Sequence, residues 1–145
     1  MDAATALLRE RGLRVSSARR LVLEALFAAD TPISAERIAA GVDGRLPCSD
    51  LASVYRNLDT LQGIGLVQHV HVRHGPGLYA LAQTDRGYLV CEACRSFRVV
   101  EEAELADLRS ALQAAFGFHA DFSHFPILGR CAECEPAEAV AQVPR

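Results

Sequence analysis

Two short cysteine pairs constrain this chain more than any other feature of its sequence. Cys91 and Cys94 are separated by two residues, as are Cys131 and Cys134, and the 36 residues of 95–130 lie between the pairs. Two intervening residues let both sulfurs of a pair turn toward one centre, and four thiolates match the tetrahedral coordination that zinc prefers. The sequence therefore predicts one structural Zn²⁺ per chain. Because four protein ligands leave no open position for water, the pattern does not indicate a catalytic metal.

Redox chemistry is the main alternative for a Cys-x-x-Cys pair. A single pair is typical of a thioredoxin-like protein, but this chain has two pairs and lacks the surrounding strand and helix pattern of that fold. Disulfide bonds are disfavoured because residues 1–12 contain charged side chains and no apolar secretory segment. Metal binding is the favoured interpretation, and a thiol-redox protein or a protein-interaction module is kept as the alternative.

Composition sets broad limits on location and partners. The chain has 145 residues, of which 50% are hydrophobic, enough for real cores, and no apolar run is long enough to span a membrane. We therefore expect a cytoplasmic protein with no membrane partner. Residues 1–78 contain nine arginines and eight acids, a net charge of +1, whereas residues 79–145 contain six arginines and ten acids, a net charge of −4. The basic excess of the first half is smaller than in a typical nucleic-acid-binding domain.

The first half of the chain has the order of a winged-helix domain. Helix periodicity and capping residues predict four helices. The first covers 3–11, and the second runs from its N-cap Ser16 to residue 29. The third runs from its N-cap Ser34 through residue 42, and the fourth covers 50–62 after its N-cap Ser49. An alternating strand at 66–72, a Gly-Pro-Gly turn at 75–77 and a strand at 78–81 then predict a β-hairpin. We assign residues 1–82 to this domain.

The helix over 50–62 is the predicted DNA-recognition helix. Its apolar residues recur at helical spacing and should face inward: Leu51, Val54, Leu58 and Leu61. Its polar residues should lie on other faces and can reach bases and phosphates in the major groove: Ser53, Tyr55, Arg56 and Asn57. The alternatives are a winged helix used for protein contacts, or core helices that bind no ligand.

The second half is predicted to form a small α/β unit clamped by the zinc. After a polar linker at 83–87, the patterns indicate a strand at 97–100, a helix over 105–116 that Gly117 ends, and a strand at 118–128. The unit spans 88–134, and the tail 135–145 is expected to fray. Because so small a unit leaves apolar surface to cover, we expect a homodimer through this dimerisation domain. The predicted fold class is α+β.

Several motifs together resemble the ferric-uptake-regulator (Fur) superfamily of bacterial metal-dependent transcription factors. The resemblance runs from about Leu7 to Cys134, and the motifs that carry it are GLRVSSAR at 12–19, SVYRNL at 53–58, GLV at 65–67, LVCEAC at 89–94 and GRCAEC at 129–134. It implies a homodimeric repressor whose C-terminal halves dimerise and whose recognition helices bind a palindromic operator. It also implies DNA contacts by Arg19, Tyr55 and Arg56, and structural zinc bound by the four cysteines.

The sequence departs from the family pattern at the sites of regulatory metal. Members usually have a histidine-rich run before the first cysteine pair, whereas this chain has Thr84-Asp85-Arg86-Gly87-Tyr88 there. A histidine common near the start of the third helix is also missing, with Pro32 or a neighbour in its place. These differences argue against peroxide sensing by histidine oxidation and against the usual iron or zinc sensing.

A second group of histidines offers another metal site. His69 and His71 are two apart on a predicted strand, so they share a face with backbones roughly 7 Å apart. Together with His124 they are similar to the nickel-responsive branch of the family, which implies a regulatory Ni²⁺ or Zn²⁺ bound by these three residues. The alternative is that His69 and His71 are exposed wing residues near phosphate and that His124 has a structural role. His74 and His119 are spare candidates for this site. Cys48 is more typical of a packed or idle thiol than of a redox switch.

These features predict a metal-responsive, sequence-specific transcriptional repressor that is not an enzyme. The alternative is a metal-independent DNA-binding regulator that keeps only the structural zinc.

Overall fold

The computed structural model describes residues 1–72, 75–82, 86–122 and 126–135. The chain divides into two compact units, an N-terminal unit, Met1–Gln83, and a C-terminal unit, Thr84–Arg145. Helices and a small antiparallel sheet form the first unit, and a three-stranded mixed sheet with one helix forms the second. The predicted α+β fold class is confirmed.

Three helices of the N-terminal unit begin where a short polar side chain caps them. The N-terminal unit contains α1 (Asp2–Glu10), α2 (Ser17–Ala28), β1 (Ile33–Ser34), α3 (Ala35–Ala39), the short turn α4 (Gly41–Gly44), α5 (Leu51–Gly63), β2 (Val67–Val70) and β3 (Leu78–Leu81). The Ser16 hydroxyl accepts a hydrogen bond from the Arg19 backbone N–H at 3.3 Å, as predicted. For α5 the predicted cap is wrong by one residue, because the carboxylate of Asp50, and not Ser49, accepts from the Ser53 N–H at 2.8 Å.

The third predicted helix is shorter than expected. It ends at Ala39, because Gly41, Val42 and Asp43 adopt left-handed φ values of 82°, 50° and 62°. At Gly41 the turn requires glycine, since a Cβ there would lie 2.1 Å from the Leu46 carbonyl oxygen. The chain therefore turns sharply between α3 and α5.

The hairpin forms a three-stranded sheet in the order β1-β3-β2. Strand β1 was not predicted, since its two residues are too few to show alternation, and it pairs antiparallel with β3. Ile33, Tyr79 and His69 lie side by side in one row across the three strands. Strand β2 ends at Val70, earlier than predicted, so His71 follows the strand.

Apolar side chains from α1, α2, α3, α5 and the hairpin form the core of the N-terminal unit. On α5, the buried apolar residues are Val54, Leu58 and Leu61, as predicted. Leu51 was also expected to face inward, but it is 39% exposed because it is the first residue of the helix. The face of α5 opposite these buried residues is exposed to solvent.

The C-terminal unit contains β4 (Arg86–Cys91), β5 (Phe97–Glu101), α6 (Glu102–Phe116) and β6 (Ile127–Gly129), with strand order β5-β4-β6. Strand β4 begins at Arg86, so the last two residues of the predicted linker belong to the sheet, and residues 83–85 lie outside the described residues. The strand predicted at 118–128 is mostly wrong. Residues 118–122 and 126 form no strand, 123–125 lie outside the described residues, and β6 is a short strand parallel to β4.

Helix α6 has well-formed ends. The Glu104 carboxylate accepts from the Glu101 N–H at 3.1 Å as half of a capping box, and Gly117 ends the helix with a φ of 64°, as predicted. Leu105 anchors the helix to the sheet, where it packs against Gly87. None of the helices in the described part of the chain combines the length and apolarity that a membrane span needs.

Candidate functional site

The four predicted zinc ligands converge at one end of the C-terminal sheet. Cys91 is the last residue of β4 and pairs with Gly129 in the parallel strand β6, so the turns after both strands start side by side. Cys94 lies in the first turn, and Cys131 and Cys134 lie in the second. All four Sγ atoms lie within 4.8 Å of one another.

The distances between these sulfurs fit a metal site. The Sγ atoms of Cys94 and Cys131 are 3.8 Å apart. A tetrahedron with zinc–sulfur distances of about 2.3 Å has sulfur–sulfur edges of about 3.8 Å, so the separation of Cys94 and Cys131 matches one edge of a zinc site. The fold and the donor set together fit a structural zinc site.

Backbone hydrogen bonds hold each cysteine turn in shape. The Arg95 N–H donates to the Cys91 carbonyl at 2.9 Å, and Arg95 has a left-handed φ of 62°. The Cys134 N–H donates to the Cys131 carbonyl at 2.9 Å in the second turn. The two turns are joined because the Cys131 N–H donates to Cys91 Sγ at 3.3 Å.

These hydrogen bonds separate the pKa values of the thiols. The backbone N–H groups of Cys94 and then Cys131 lower the pKa of Cys91 to about 6, which favours its thiolate. Hydrogen bonds with the Cys131 and Cys94 sulfurs raise the pKa of Cys134 to about 12. The lowered pKa of Cys91 favours the form that binds metal.

The predicted DNA-contacting residues of α5 divide into exposed and buried side chains. Tyr55 is 39% exposed, the Arg56 side chain is 71% exposed, and Ser53 is half-buried. Asn57 is only 9% exposed, and its side-chain amide donates to the Ser53 carbonyl at 2.9 Å. The expectation that Asn57 lies on an open face is therefore wrong, because this position turns toward the core side of the helix.

Two carboxylates that the sequence analysis missed accompany the exposed α5 residues. The Tyr55 hydroxyl donates to Glu36 Oε1 at 2.8 Å, and Arg56 Nη2 lies 3.9 Å from Asp50 Oδ2. Glu36 belongs to α3 and is 19 residues away from Tyr55 in sequence, so no local pattern could indicate the contact. The spacing of Asp50 before an apolar helical run was a signal for its capping role.

Arg19 lies at the start of α2 and is half-buried. Its guanidinium donates through Nη1 to the Arg14 carbonyl, whereas its Nε is buried and has no hydrogen-bond partner among the described residues. The side chain is therefore held against the segment before α2.

His69 and His71 lie close together, although only His69 belongs to strand β2. Their ring centroids are 4.1 Å apart, and the His69 ring stacks on Tyr79 with centroids 4.9 Å apart. His71 is exposed, but His69 is half-buried and so is not the fully exposed wing residue of the alternative interpretation. Burial and then the neighbouring His71 lower the pKa of His69, which favours its neutral form.

The Nε2 atom of His69 is buried without a hydrogen-bond partner in the described part of the chain. It lies against the backbone of Gly77, where an added Cβ would be 2.3 Å from Nε2. The positions of Gly77 and Tyr79 beside this ring were not predicted, although both residues lie in the predicted hairpin.

In the described part of the chain, the cysteine cluster is the only group of three or more potential metal ligands. His124, the proposed third ligand, and His74 lie outside the described residues. His119 is exposed in the C-terminal unit. Cys48 is exposed, and its thiol donates to the Ala40 carbonyl at 3.6 Å.

Comparisons with known proteins agree with this fold. The sequence profile described as the ferric uptake regulator family matches residues 10–124. The peroxide operon regulator of Bacillus subtilis is 25% identical over 131 residues, which are 90% of each chain. The ferric uptake regulator Fur of Helicobacter pylori superposes with a TM-score of 0.68 at 18% identity, over 95% of this chain and 93% of that one. The ferric uptake regulator of Vibrio cholerae superposes with a TM-score of 0.63 at 26% identity, over 86% of this chain and 96% of that one.

The profile match covers most of the chain, from the end of α1 to residue 124, beyond the end of α6. The relatives named above are iron and peroxide regulators, and they do not confirm the resemblance to the nickel-responsive branch. Members of the family are transcriptional regulators and not enzymes. The chain belongs to the ferric uptake regulator family.

Proposed function

We propose that this protein is a sequence-specific transcriptional repressor that binds a palindromic DNA operator as a homodimer and responds to a divalent metal ion. The observation that carries the proposal is the outer face of α5, where Tyr55 and Arg56 are exposed while the opposite face is buried in the core. A helix of this kind, followed by a β-hairpin, fits the major groove of DNA.

Arg56 is the best-placed cation of this face. Its only ion pair among the described residues is the 3.9 Å contact with Asp50, and both side chains are 71% exposed. Exposed pairs of this kind contribute little to stability, so a phosphate or a guanine edge can replace the carboxylate. Ser53 and Arg19 lie on the same unit and complete the proposed DNA-contacting set.

Selection from a pool of randomised DNA duplexes tests the DNA-binding proposal. The pool yields a preferred duplex, and the affinity of variants is then measured on it. We expect Arg56→Ala to weaken binding about tenfold or more, since one arginine–base contact contributes about 1–3 kcal/mol. Arg98→Ala is the matched control, because this exposed arginine pairs with Glu104 in the C-terminal unit. Failure to select any sequence, or equal affinity of both variants, contradicts the proposal.

The C-terminal unit supplies the proposed dimer contact. Leu108, Phe116 and Phe118 are 41%, 77% and 64% exposed, which is unusual for large apolar side chains in one small unit. A second copy of the unit would remove them from water. Sedimentation of Phe116→Ser should show a larger monomer fraction than the wild type at equal concentration, and Phe27→Ser in the N-terminal unit is the control.

Zn²⁺ is the proposed ion of the cysteine cluster. Four sulfur ligands without an open position suit structural zinc. A divalent ion, Ni²⁺ or Zn²⁺, is proposed for His69, His71 and His124. The observations that support this second site are the 4.1 Å separation of the first two rings and the orphaned Nε2 of His69. The place of His124 stays a prediction from the sequence.

An ion bound by these histidines would link metal binding to operator affinity. Coupling of this kind is typically about 1–3 kcal/mol and is reciprocal, so operator DNA should tighten metal binding by the same factor.

The histidine proposal is tested by operator affinity with and without added Ni²⁺ or Zn²⁺. His71→Ala should abolish the metal response and leave the fold and the cysteine-bound metal unchanged. His119→Ala is the control, since this exposed histidine is outside the proposed set. An unchanged metal response in His71→Ala contradicts the site.

Peroxide sensing is the competing signal, because the Bacillus subtilis relative is named as a peroxide operon regulator. The missing histidines noted in the sequence argue against it. Hydrogen peroxide should therefore leave the operator affinity of the metal-loaded protein unchanged. Operator affinity that is indifferent to nickel, zinc, iron and manganese would instead support a metal-independent regulator.

A further inference from the structure

The contact between Tyr55 and Glu36 has no role in the proposed function described above. The Tyr55 hydroxyl of α5 donates to Oε1 of Glu36 on α3 at a distance of 2.8 Å. Both side chains are exposed, so the pair is on the surface that α5 offers to DNA. An exposed acidic side chain is unfavourable beside phosphates, which makes its place next to a DNA-reading residue informative.

Glu36 is held in place as an acceptor. Its own backbone N–H, then the Ser34 hydroxyl and the Tyr55 hydroxyl, lower the pKa of Glu36, so the carboxylate is charged at neutral pH. The adjacent Arg37 pairs with Asp43 through its Nη2 atom. The carboxylate is thus available to the tyrosine hydroxyl.

A phenol has one hydrogen to donate and can also accept. When Tyr55 gives its hydrogen to Glu36, the hydroxyl oxygen can only accept further hydrogen bonds. Phosphate oxygens, guanine N7 and O6, and thymine O4 are themselves acceptors and cannot bond to it. In the major groove the groups that can donate are the N6 amino group of adenine and the N4 amino group of cytosine.

We propose that Glu36 is a specificity-determining residue of the DNA interface, which fixes the Tyr55 hydroxyl as an acceptor so that it reads the exocyclic amino group of adenine or cytosine. This inference rests on the proposed function of α5 as the recognition helix. The negative charge of Glu36 also repels the DNA phosphates, so it lowers the affinity for DNA of any sequence. The tyrosine contact, in contrast, favours one base.

The test uses duplexes selected from a randomised pool by the wild-type protein, and three variants. Tyr55→Phe removes the hydroxyl that contacts the base. Glu36→Ala removes the carboxylate that accepts the hydrogen of this hydroxyl. Glu36→Gln removes the charge but keeps an oxygen that can accept the phenol hydrogen. Glu36 is exposed in a helix and alanine favours helix, so Glu36→Ala is expected to fold.

We expect Tyr55→Phe and Glu36→Ala to lose preference at the same base pair, by about three- to tenfold. Glu36→Gln should keep that preference and bind all duplexes more tightly than the wild type. The combined variant should lose no more than either single variant, because the two residues act on one contact. Unchanged base preference in Glu36→Ala overturns the inference.

Removal of the amino group from DNA gives an independent measurement. Replacement of adenine by purine, or of cytosine by 2-pyrimidinone, deletes the amino group at the base pair where Tyr55→Phe loses its preference. The wild type should lose about three- to tenfold in affinity for that duplex, and Tyr55→Phe should be indifferent. Equal losses in both proteins overturn the inference. Failure of the wild type to select any duplex overturns the proposed function itself.

Discussion

The two units of this protein achieve stability by different means. In the N-terminal unit, fifteen buried apolar residues from helices and hairpin form one continuous core. In the described part of the C-terminal unit, the buried apolar residues are Val90, Cys91, Val100 and Leu105. One of these four is itself a predicted metal ligand. With so few buried apolar residues, we expect the C-terminal unit to depend on metal binding at its cysteine cluster for stability that the N-terminal unit obtains from apolar packing.

The largest expected effect is that of metal removal. Structural zinc sites contribute about 10–16 kcal/mol, as much as the whole stability of a small domain. With a strong chelator, hydrogen exchange measured by mass spectrometry should accelerate in β4 and β5 and stay slow in α2 and α5. The variant Cys134→Ser should show the same pattern without chelator.

The variant Cys48→Ser is the matched control for this experiment. Its thiol is exposed and lies outside the cluster, so its exchange should match that of the wild type. If chelation accelerated hydrogen exchange equally in both units, it would contradict the proposal that only the C-terminal unit depends on bound metal for stability.

The second effect concerns the apolar core. Leu58 of α5 is completely buried. Leu58→Ala should lower the free energy of unfolding of the N-terminal unit by about 2–5 kcal/mol, because it deletes buried methyl groups and leaves a cavity. Urea titration followed by circular dichroism measures the loss. In the C-terminal unit Leu108→Ala, at a 41% exposed position, should have a much smaller effect, and equal losses would contradict the assigned core.

Much of the difference between the two units could be predicted from local sequence patterns. The Cys-x-x-Cys spacing, the cap at Ser16 and the left-handed Gly117 each depend on residues a few positions apart, and the structure agrees with them. The predictions failed where distant segments decide the outcome. Strand β6 has three residues and pairs with β4, which lies far away in sequence, whereas the apolar run before it indicated a longer strand.

In the candidate site as well, local patterns predicted some features, and contacts with other segments were missed. Tyr55 and Arg56 were recognisable from α5 alone, but their partners Glu36 and Asp50 were not identified. The pair Tyr55–Glu36 joins two helices that the left-handed turn at Val42 and Asp43 brings together. For Asn57, a helical wheel could not decide between surface and core, since the position lies at the edge of the buried face.

A third, smaller effect tests the start of α5. Asp50→Ala removes the side-chain cap, and Ser49→Ala removes the residue that the sequence favoured. Asp50→Ala should lower the free energy of unfolding of the N-terminal unit by about 1 kcal/mol, the usual effect of losing a cap. Asp50→Asn keeps a capping oxygen and should retain most of the stability. A larger loss for Ser49→Ala than for Asp50→Ala would contradict the observed cap.

The smallest effect concerns the surface of the same unit. Arg20 and Glu24 form an ion pair of 2.8 Å on α2, with side chains 65% and 36% exposed. Glu24→Gln should lower the free energy of unfolding by less than about 0.5 kcal/mol, and added salt should remove the difference. A thermal melt at low and high salt measures this. A loss as large as that of Leu58→Ala would contradict the view that packing stabilises this unit.

Native mass spectrometry of protein purified without chelator tests the central claim most directly, because it counts subunits and metal ions together. We predict a dimer with one tightly bound zinc ion per chain, which takes up one further ion per chain when Ni²⁺ or Zn²⁺ is added. A folded chain that carries no metal would contradict the role of the cysteine cluster. A dimer that stays at one zinc ion per chain would contradict the histidine site alone.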